Sequence, residues 1–248
     1  MPVMDQLVPS SEHVFTPDEG GLILVDKPLD WTSFDVVKKI RGAMRSVVRR
    51  RNFKVGHAGT LDPLATGLLI LAYGPRTKEL PLITGLEKVY TGSITLGGET
   101  PSYDLETTPV PVGPWEHLTE TEIKAAFGQF HGEVMQRPPL YSAKRYEGER
   151  AYWLARDESR PNVEMPAVKV IISKLEVTAI RGAEIDFTVH VSKGTYIRSL
   201  ANDIGQLLGC GAYLSSLRRT AIGPYRVEDA DAPLVWTHRI APRSDKQE

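Results

Sequence analysis

Apolar residues recur along this chain at two different spacings, and the switches between them mark out its elements. "GLILVDKP", residues 21 to 28, is a short apolar run stopped by Pro28, which predicts a strand. In "WTSFDVVKKIRGAMR" the spacing becomes helical. Val37, Ile40 and Met44 share one face, and Thr32 or Ser33 stands at the N-cap. "GLLILAYG" reads as a buried strand and "KVYTGSITLGGET" as another that ends in glycines. "LTETEIKAAFGQF" carries Thr119 and Glu122 at capping-box spacing, so a helix begins there. "VKVIISKLEVTAI" and "AEIDFTVHVS" are read as paired strands. In the second, Ile185, Phe187, Val189 and Val191 alternate with polar residues, as in a sheet with one wet face. "TYIRSLANDIGQLLG" places Ile197, Leu200, Ile204 and Leu208 on one helical face and stops at Gly209, a natural C′ glycine.

Strands and helices mix without regular βαβ alternation, which predicts an α+β fold with a largely antiparallel sheet. Residues 1 to 20 and about the last ten read as loose tails. "MQRPPLYSAKRYEGERAYWLARD" is proline-rich, basic and aromatic, and its first half has no clean period, so it reads as a long loop.

Composition narrows this picture only a little. The 248 residues suffice for one sizeable core, and 41% hydrophobic with 25% charged residues is ordinary for a folded domain. No apolar run approaches the roughly 20 residues of a membrane span. The N-terminus has neither the basic start nor the apolar centre of a signal peptide. Cys210, the one cysteine, can form no internal disulfide and no metal cluster. A cytoplasmic location is therefore expected.

Charge changes the picture more, through its distribution rather than its sum. The formal net charge is −1, yet no Asp or Glu falls between Val36 and Leu61. Lys38, Lys39, Arg41, Arg45, Arg49, Arg50, Arg51 and Lys54 all do. From Phe187 to Val227 one acid, Asp203, faces Lys193, Arg198, Arg218, Arg219 and Arg226. A single basic run is more often a solvated helix face, but two acid-poor regions in one chain suit phosphate contact.

The chain lacks GxxxxGK[ST], GxGxxG after a strand, HExxH, CxxC and GxSxG, so several common enzyme classes lose their signatures. What remains is Asp62 in "GHAGTLDPLATG". Asp-Pro favours turn initiation, and on the residues alone the turn role stands ahead of a catalytic one. As a nucleophile Asp62 would need an orienting cation. Arg198 is a candidate, because "SKGTYIRS" places it where a strand gives way to a helix. A cation in a first helical turn opposes the helix dipole, which hints that another group holds it.

At this point the chain resembles a known family. "GHAGTLDPLATGLL" is similar to the signature of the TruB family of tRNA pseudouridine synthases. "LVDKPLDWTSFDVV", "KVYTGSITLG", "RPPLYSAKRYEGERAYWLAR", "VSKGTYIRSLANDIG" and "LSSLRRTAIG" follow the family's blocks in order, over roughly residues 21 to 226. The resemblance implies a pseudouridine synthase fold, a largely antiparallel mixed sheet flanked by helices and loops. It also implies a catalytic domain at residues 21 to 236, with a thumb-like insertion at about 137 to 162 and tails at 1 to 20 and 237 to 248.

It further implies isomerisation of the T-loop uridine at tRNA position 55, without cofactor or metal. Asp62 would be the essential carboxylate, assisted by Tyr90 and Arg198. Tyr90, Tyr196, Leu217 and His57 would bind substrate, His57 by touching a displaced nucleotide, and Lys78 would meet a phosphate. The partner would be the T-stem-loop of tRNA, with no membrane, and the protein a monomer. Basic residues at 38 to 54, 137 to 150 and 218 to 219 would grip phosphates, and Tyr141, Tyr146, Tyr152 and Trp153 would stack on splayed bases.

Two features depart from the commoner pattern. The chain ends about 30 residues after the "LRR" block, too soon for the PUA domain that many bacterial members carry. "GGETPSYDLETTP" replaces the usual TxTxDxxG form, and Asp104 takes the acidic place, where it is expected either to support the reacting residues from behind or to be structural. Two other functions are an RNA-binding protein with an idle pocket and a glycosidase-like hydrolase. The first has no reason to keep Asp62, Tyr90 and Arg198 together; the second needs another carboxylate, and none is evident in the matched blocks.

Overall fold

The computed structural model describes residues 15–142, the main chain of 145–146 and 149–150, and residues 165–242. Most of the expected thumb, with Tyr152 and Trp153, lies outside these described residues. The chain forms two compact units: residues up to Lys88 together with those from Arg218 onward, and Val89–Leu217.

The first unit starts with β1 (Gly21–Lys27), α1 (Ser33–Val48), β2 (Val55–His57) and β3 (Ala65–Tyr73). Thr32 caps α1, and a capping box with Asp35 satisfies the exposed first amides. β1 lies antiparallel to β3 along its whole length, from Gly21 opposite Tyr73 to Lys27 opposite Gly67, and β2 also pairs with β3. A short helix α2 (Leu80–Gly85) leads to β4 (Lys88–Leu96), in which the chain passes to the second unit. Val36, Val37, Ile40 and Met44 of α1 pack with Ile23, Leu69 and Leu71, against Trp236 and Ile240 of the terminal helix.

The second unit holds most of β4, then β5 (Gly98–Glu99), β6 (Val110–Pro111), α3 (Glu120–Gly128) and β7 (Gly132–Gln136). A two-residue ladder joins β8 (Arg145–Tyr146) and β9 (Glu149–Arg150). There follow β10 (Val168–Arg181), β11 (Glu184–Val191), α4 (Ile197–Leu208) and the first half of β12 (Ala212–Ile222). The strand order here is β12-β4-β11-β10-β7. β11 buries Ile185, Phe187, Val189 and Val191 on one face, as its alternation predicts. α4 ends at Gly209 with φ 75°, the left-handed C-cap that glycine adopts without strain.

β12 carries the chain back to the first unit, which closes with β13 (Tyr225–Arg226) and α5 (Pro233–Ile240). The ladders of β1 with β3, β10 with β11 and β10 with β7 are antiparallel, and single parallel bridges at Val25–Asp231 and Asp104–Leu214 make the arrangement mixed.

The tail expectations change at both ends. Residues 15–20 are docked: the Phe15 ring sits 5.1 Å from that of Tyr73 and 6.1 Å from that of Phe53. At the other end α5 runs past residue 236 to Ile240, which is buried. In each case a large apolar side chain finds a core that local composition does not reveal.

Candidate active site

Asp62 stands half-buried in the loop between β2 and β3. The turn that follows is closed by its main-chain carbonyl, which accepts from Ala65 N at 3.1 Å. What is unusual is how the loop is held. Ser33 Oγ accepts from Leu61 N at 2.8 Å and donates to Leu61 O at 3.0 Å. Lys27 Nζ donates to Pro63 O at 3.2 Å, and to Trp31 O and Pro28 O at 2.6 and 2.9 Å. From the other flank Arg219 donates to Gly59 O at 3.1 Å, Thr60 O at 3.5 Å and Leu68 O at 2.8 Å. Carbonyls at 59, 60, 61 and 63 therefore all end on buried side chains that brace Asp62 from both sides. Gly67 makes room for one brace: a Cβ there would lie 2.3 Å from the Arg219 carbonyl, and its φ of 102° also favours glycine.

Burial without full compensation lowers the pKa of Lys27 from its usual value to about 8. The charges of Asp62 and Asp30 oppose that shift and Arg219 adds to it. Asp62 and Lys27 thus feel each other through space. His57 is pushed below its ordinary pKa, chiefly by burial and against a backbone hydrogen bond with Gly59, so its imidazole is neutral at pH 7.

The expected phosphate role is corrected here for Arg219. Arg219 is 1% exposed and spends its guanidinium on carbonyls. Arg218 makes a two-pronged pair with Asp26 at 3.0 and 2.7 Å. A sequence shows two adjacent arginines on a strand; it does not show that one points inward.

In the second unit, Arg198 occupies the first turn of α4 and is 3% exposed. The groups that its unfavourable position predicted include three from distant parts of the chain. Nη1 donates to Ser102 O at 3.1 Å, Nη2 donates to Tyr141 O at 3.0 Å, and Nε lies 3.5 Å from Asp104 Oδ2. Asp104 is buried too, and its other carboxylate oxygen accepts from Glu106 N at 3.0 Å. Its structural role is to balance the arginine.

Tyr196 is the N-cap residue of α4, clamped by the buried Gln136, which accepts from Tyr196 N at 2.8 Å and donates to its carbonyl at 3.0 Å. Tyr90 lies on β4 with 7% exposure. Two residues on, Gly92 lets β12 approach: a Cβ there would sit 2.5 Å from Ser216 O and 3.4 Å from a methyl of Leu217. Leu217 therefore packs against β4 at Gly92. Of the predicted site residues, Asp62 and His57 belong to the first unit, and Tyr90, Tyr196, Arg198 and Leu217 to the second.

A cleft of about 460 Å³ also lies in the first unit, bordered by Arg50, Lys54 and Lys78 and by Asp18. It draws two cations from the acid-poor run and the lysine of "RTKEL". Sequence reasoning assigned no part to Lys27 and gave Ser33 only a candidate N-cap position, which Thr32 fills. The usable signal was a lysine closing a strand that is apolar from Leu22 to Val25, where a neighbouring strand must cover it.

The first of two family models that match the chain is described as "TruB family pseudouridylate synthase (N terminal domain)", over residues 45–197. The second, "tRNA pseudouridylate synthase B C-terminal domain", covers 198–241. A "tRNA pseudouridine synthase B" of Chlorobium luteolum is 49% identical over 223 residues, 89% of this chain and 76% of that protein. One from Flavobacterium johnsoniae is 46% identical over 219 residues, 87% and 95% of the two chains. Among solved structures, a Cbf5–Nop10–Gar1 complex aligns at TM-score 0.63 and 29% identity, over 90% of this chain and 57% of the other. The archaeal box H/ACA Nop10–Cbf5 complex aligns at 0.61 and 26%, over 94% and 61%. Both family models, the ordered motifs and identity of this extent agree: the chain belongs to the TruB family of pseudouridylate synthases.

Proposed function

We propose that this chain is a tRNA pseudouridine synthase that isomerises the T-loop uridine at position 55, with Asp62 as the reacting carboxylate. The observation that carries this reading is the bracing of the Asp62 loop, whose flanking carbonyls are held by buried Arg219, Ser33 and Lys27. A site that does chemistry needs its groups fixed to within a fraction of an ångström, and a plain turn needs no such frame.

The reaction breaks the bond between C1′ and N1 of uracil and forms one between C1′ and C5. N1 gains a proton and C5 loses one, so no electrons change hands. Asp62 assists either by attack at C1′ or by addition to the uracil ring. Arg198 is assigned as the cation that keeps Asp62 ionised. Tyr90 offers a flat face for the everted base and a hydroxyl near C5, with Tyr196 and Leu217 lining the pocket. His57, neutral at working pH, meets a displaced nucleotide through its ring rather than its charge. The cleft bordered by Arg50, Lys54 and Lys78 suits phosphodiester groups beside the target. Everting a base costs a few kcal/mol, which contacts of this kind offset.

The test is release of label from C5 of uridine in a T-stem-loop transcript. Wild type releases it; Asp62→Asn binds the same RNA and releases none. Turnover by that variant would remove Asp62 from the mechanism. Silence from the wild type, with RNA still bound, would leave a binding protein.

A further inference from the structure

The stretch "GGETPSYDLETTP", which departs from the commoner family form, contains a residue in a conformation that its side chain does not favour. Tyr103 has a φ of 63°. The left-handed region is natural for glycine and tolerable for Asn or Asp, but an aromatic residue there is an outlier that the surroundings must impose. Those surroundings are dense. Tyr103 N donates to Thr100 O at 3.0 Å, and its carbonyl accepts from Leu214 N at 2.9 Å. On one side, the hydroxyl of the fully buried Ser102 donates to Asp104 O at 3.1 Å. Thr100 Oγ1 donates to the same carbonyl at 2.7 Å.

The two neighbours of Tyr103 are two of the groups that meet Arg198. Ser102 offers its carbonyl to Nη1, and Asp104 its carboxylate to Nε. In an extended chain a carbonyl lies along the sheet and a side chain stands perpendicular to it, so groups from residues i and i+2 of these two kinds diverge. One left-handed step between them turns both toward a single guanidinium.

We propose that Tyr103 is a positioning residue for Arg198, acting through its backbone: the left-handed step fixes the orientation of the guanidinium. The inference rests on the role proposed above for Arg198, that of keeping the reacting carboxylate ionised. It adds that this orientation is set in the 100–107 loop rather than in α4.

The experiment compares Tyr103→Asn and Tyr103→Gly, which adopt the step readily, with Tyr103→Val, whose branched side chain resists it, and the milder Tyr103→Ala. Asn and Gly variants keep single-turnover conversion of a T-stem-loop transcript within threefold of wild type. Val lowers it at least tenfold and Ala less, with RNA affinity within threefold. A second readout does not depend on turnover: the N–H resonance of Arg198 Nε, assigned by its loss in Arg198→Lys. It stays in place in the Asn and Gly variants and moves in Val, or in Ala should Val not fold. An unmoved resonance in the folded Val or Ala variant would overturn the proposal. So would a loss in Gly as deep as in Val, which would make the ring the active part. Inactivity of the wild type with a resonance that still tracks residue 103 would instead sink the functional reading and leave this one standing.

Discussion

Ser33 holds Leu61 by both of its main-chain polar groups, accepting from the amide at 2.8 Å and donating to the carbonyl at 3.0 Å. The serine opens α1 and the leucine immediately precedes Asp62, 28 residues later. All three atoms are buried, so water cannot replace the hydroxyl.

Ser33→Ala therefore strands a buried amide and a buried carbonyl. The expected loss of stability is about 1–3 kcal/mol, read as a lower urea midpoint with unchanged slope. Conversion falls further than stability, because the freed segment carries Asp62. A variant with wild-type turnover would show that the hydroxyl does not set the loop.

Lys27 makes activity and stability respond to pH in opposite directions. Its pKa is lowered to about 8, so above that pH the folded chain holds the neutral amine while the unfolded chain stays charged up to its ordinary range. The unfolded state then binds more protons, and this group's contribution favours folding as pH rises from about 8 to about 10.5. Activity should fall over the lower part of that window, since a neutral amine has two N–H donors for three carbonyls and brings no charge near Asp62. Single-turnover rates from pH 6.5 to 9.5 check this. Lys27→Arg, permanently charged, should flatten the descending limb, and an identical limb in both proteins would assign it to the RNA.

Asp104→Asn leaves the Arg198 guanidinium buried beside a neutral amide. Breaking a buried pair by removing one charge costs about 3–5 kcal/mol in other proteins, and the retained shape should hold this case to the lower end. Conversion should drop at least tenfold while RNA affinity changes little, measured by C5 label release and filter binding. Equal losses in both would make the pair a general prop of the fold.

Tyr225 offers a contrast. Its hydroxyl is buried with no hydrogen-bond partner among the described residues, and burial raises its pKa to about 12. Tyr225→Phe removes an unsatisfied group and should leave stability equal or higher by up to about 1 kcal/mol, with turnover unchanged. A clear loss of stability would mean that the hydroxyl is satisfied by water.

Much of this was legible in the linear chain because it is local. The Thr32 and Thr119 caps, the buried stripe of α1, the alternation of β11 and the stop at Gly209 each depend on residues within a few positions of one another. The position of Arg198 in a first helical turn also signalled, from the helix dipole alone, that something must hold it.

Other features depend on contacts far apart in the chain. Nothing near Arg219 says that its donors end on carbonyls at 59 and 60, about 160 residues away. Nothing near Lys27 points to Pro63, and nothing in "SYDLE" points to α4. The residues by themselves determined the periods, the caps, the acid-poor runs and the motif around Asp62, since those follow from side-chain type and spacing. Which arginine turns inward, what each buried cation holds and where Phe15 docks were decided only in the folded chain. Burying a charge is tolerable only where distant backbone groups arrive to solvate it.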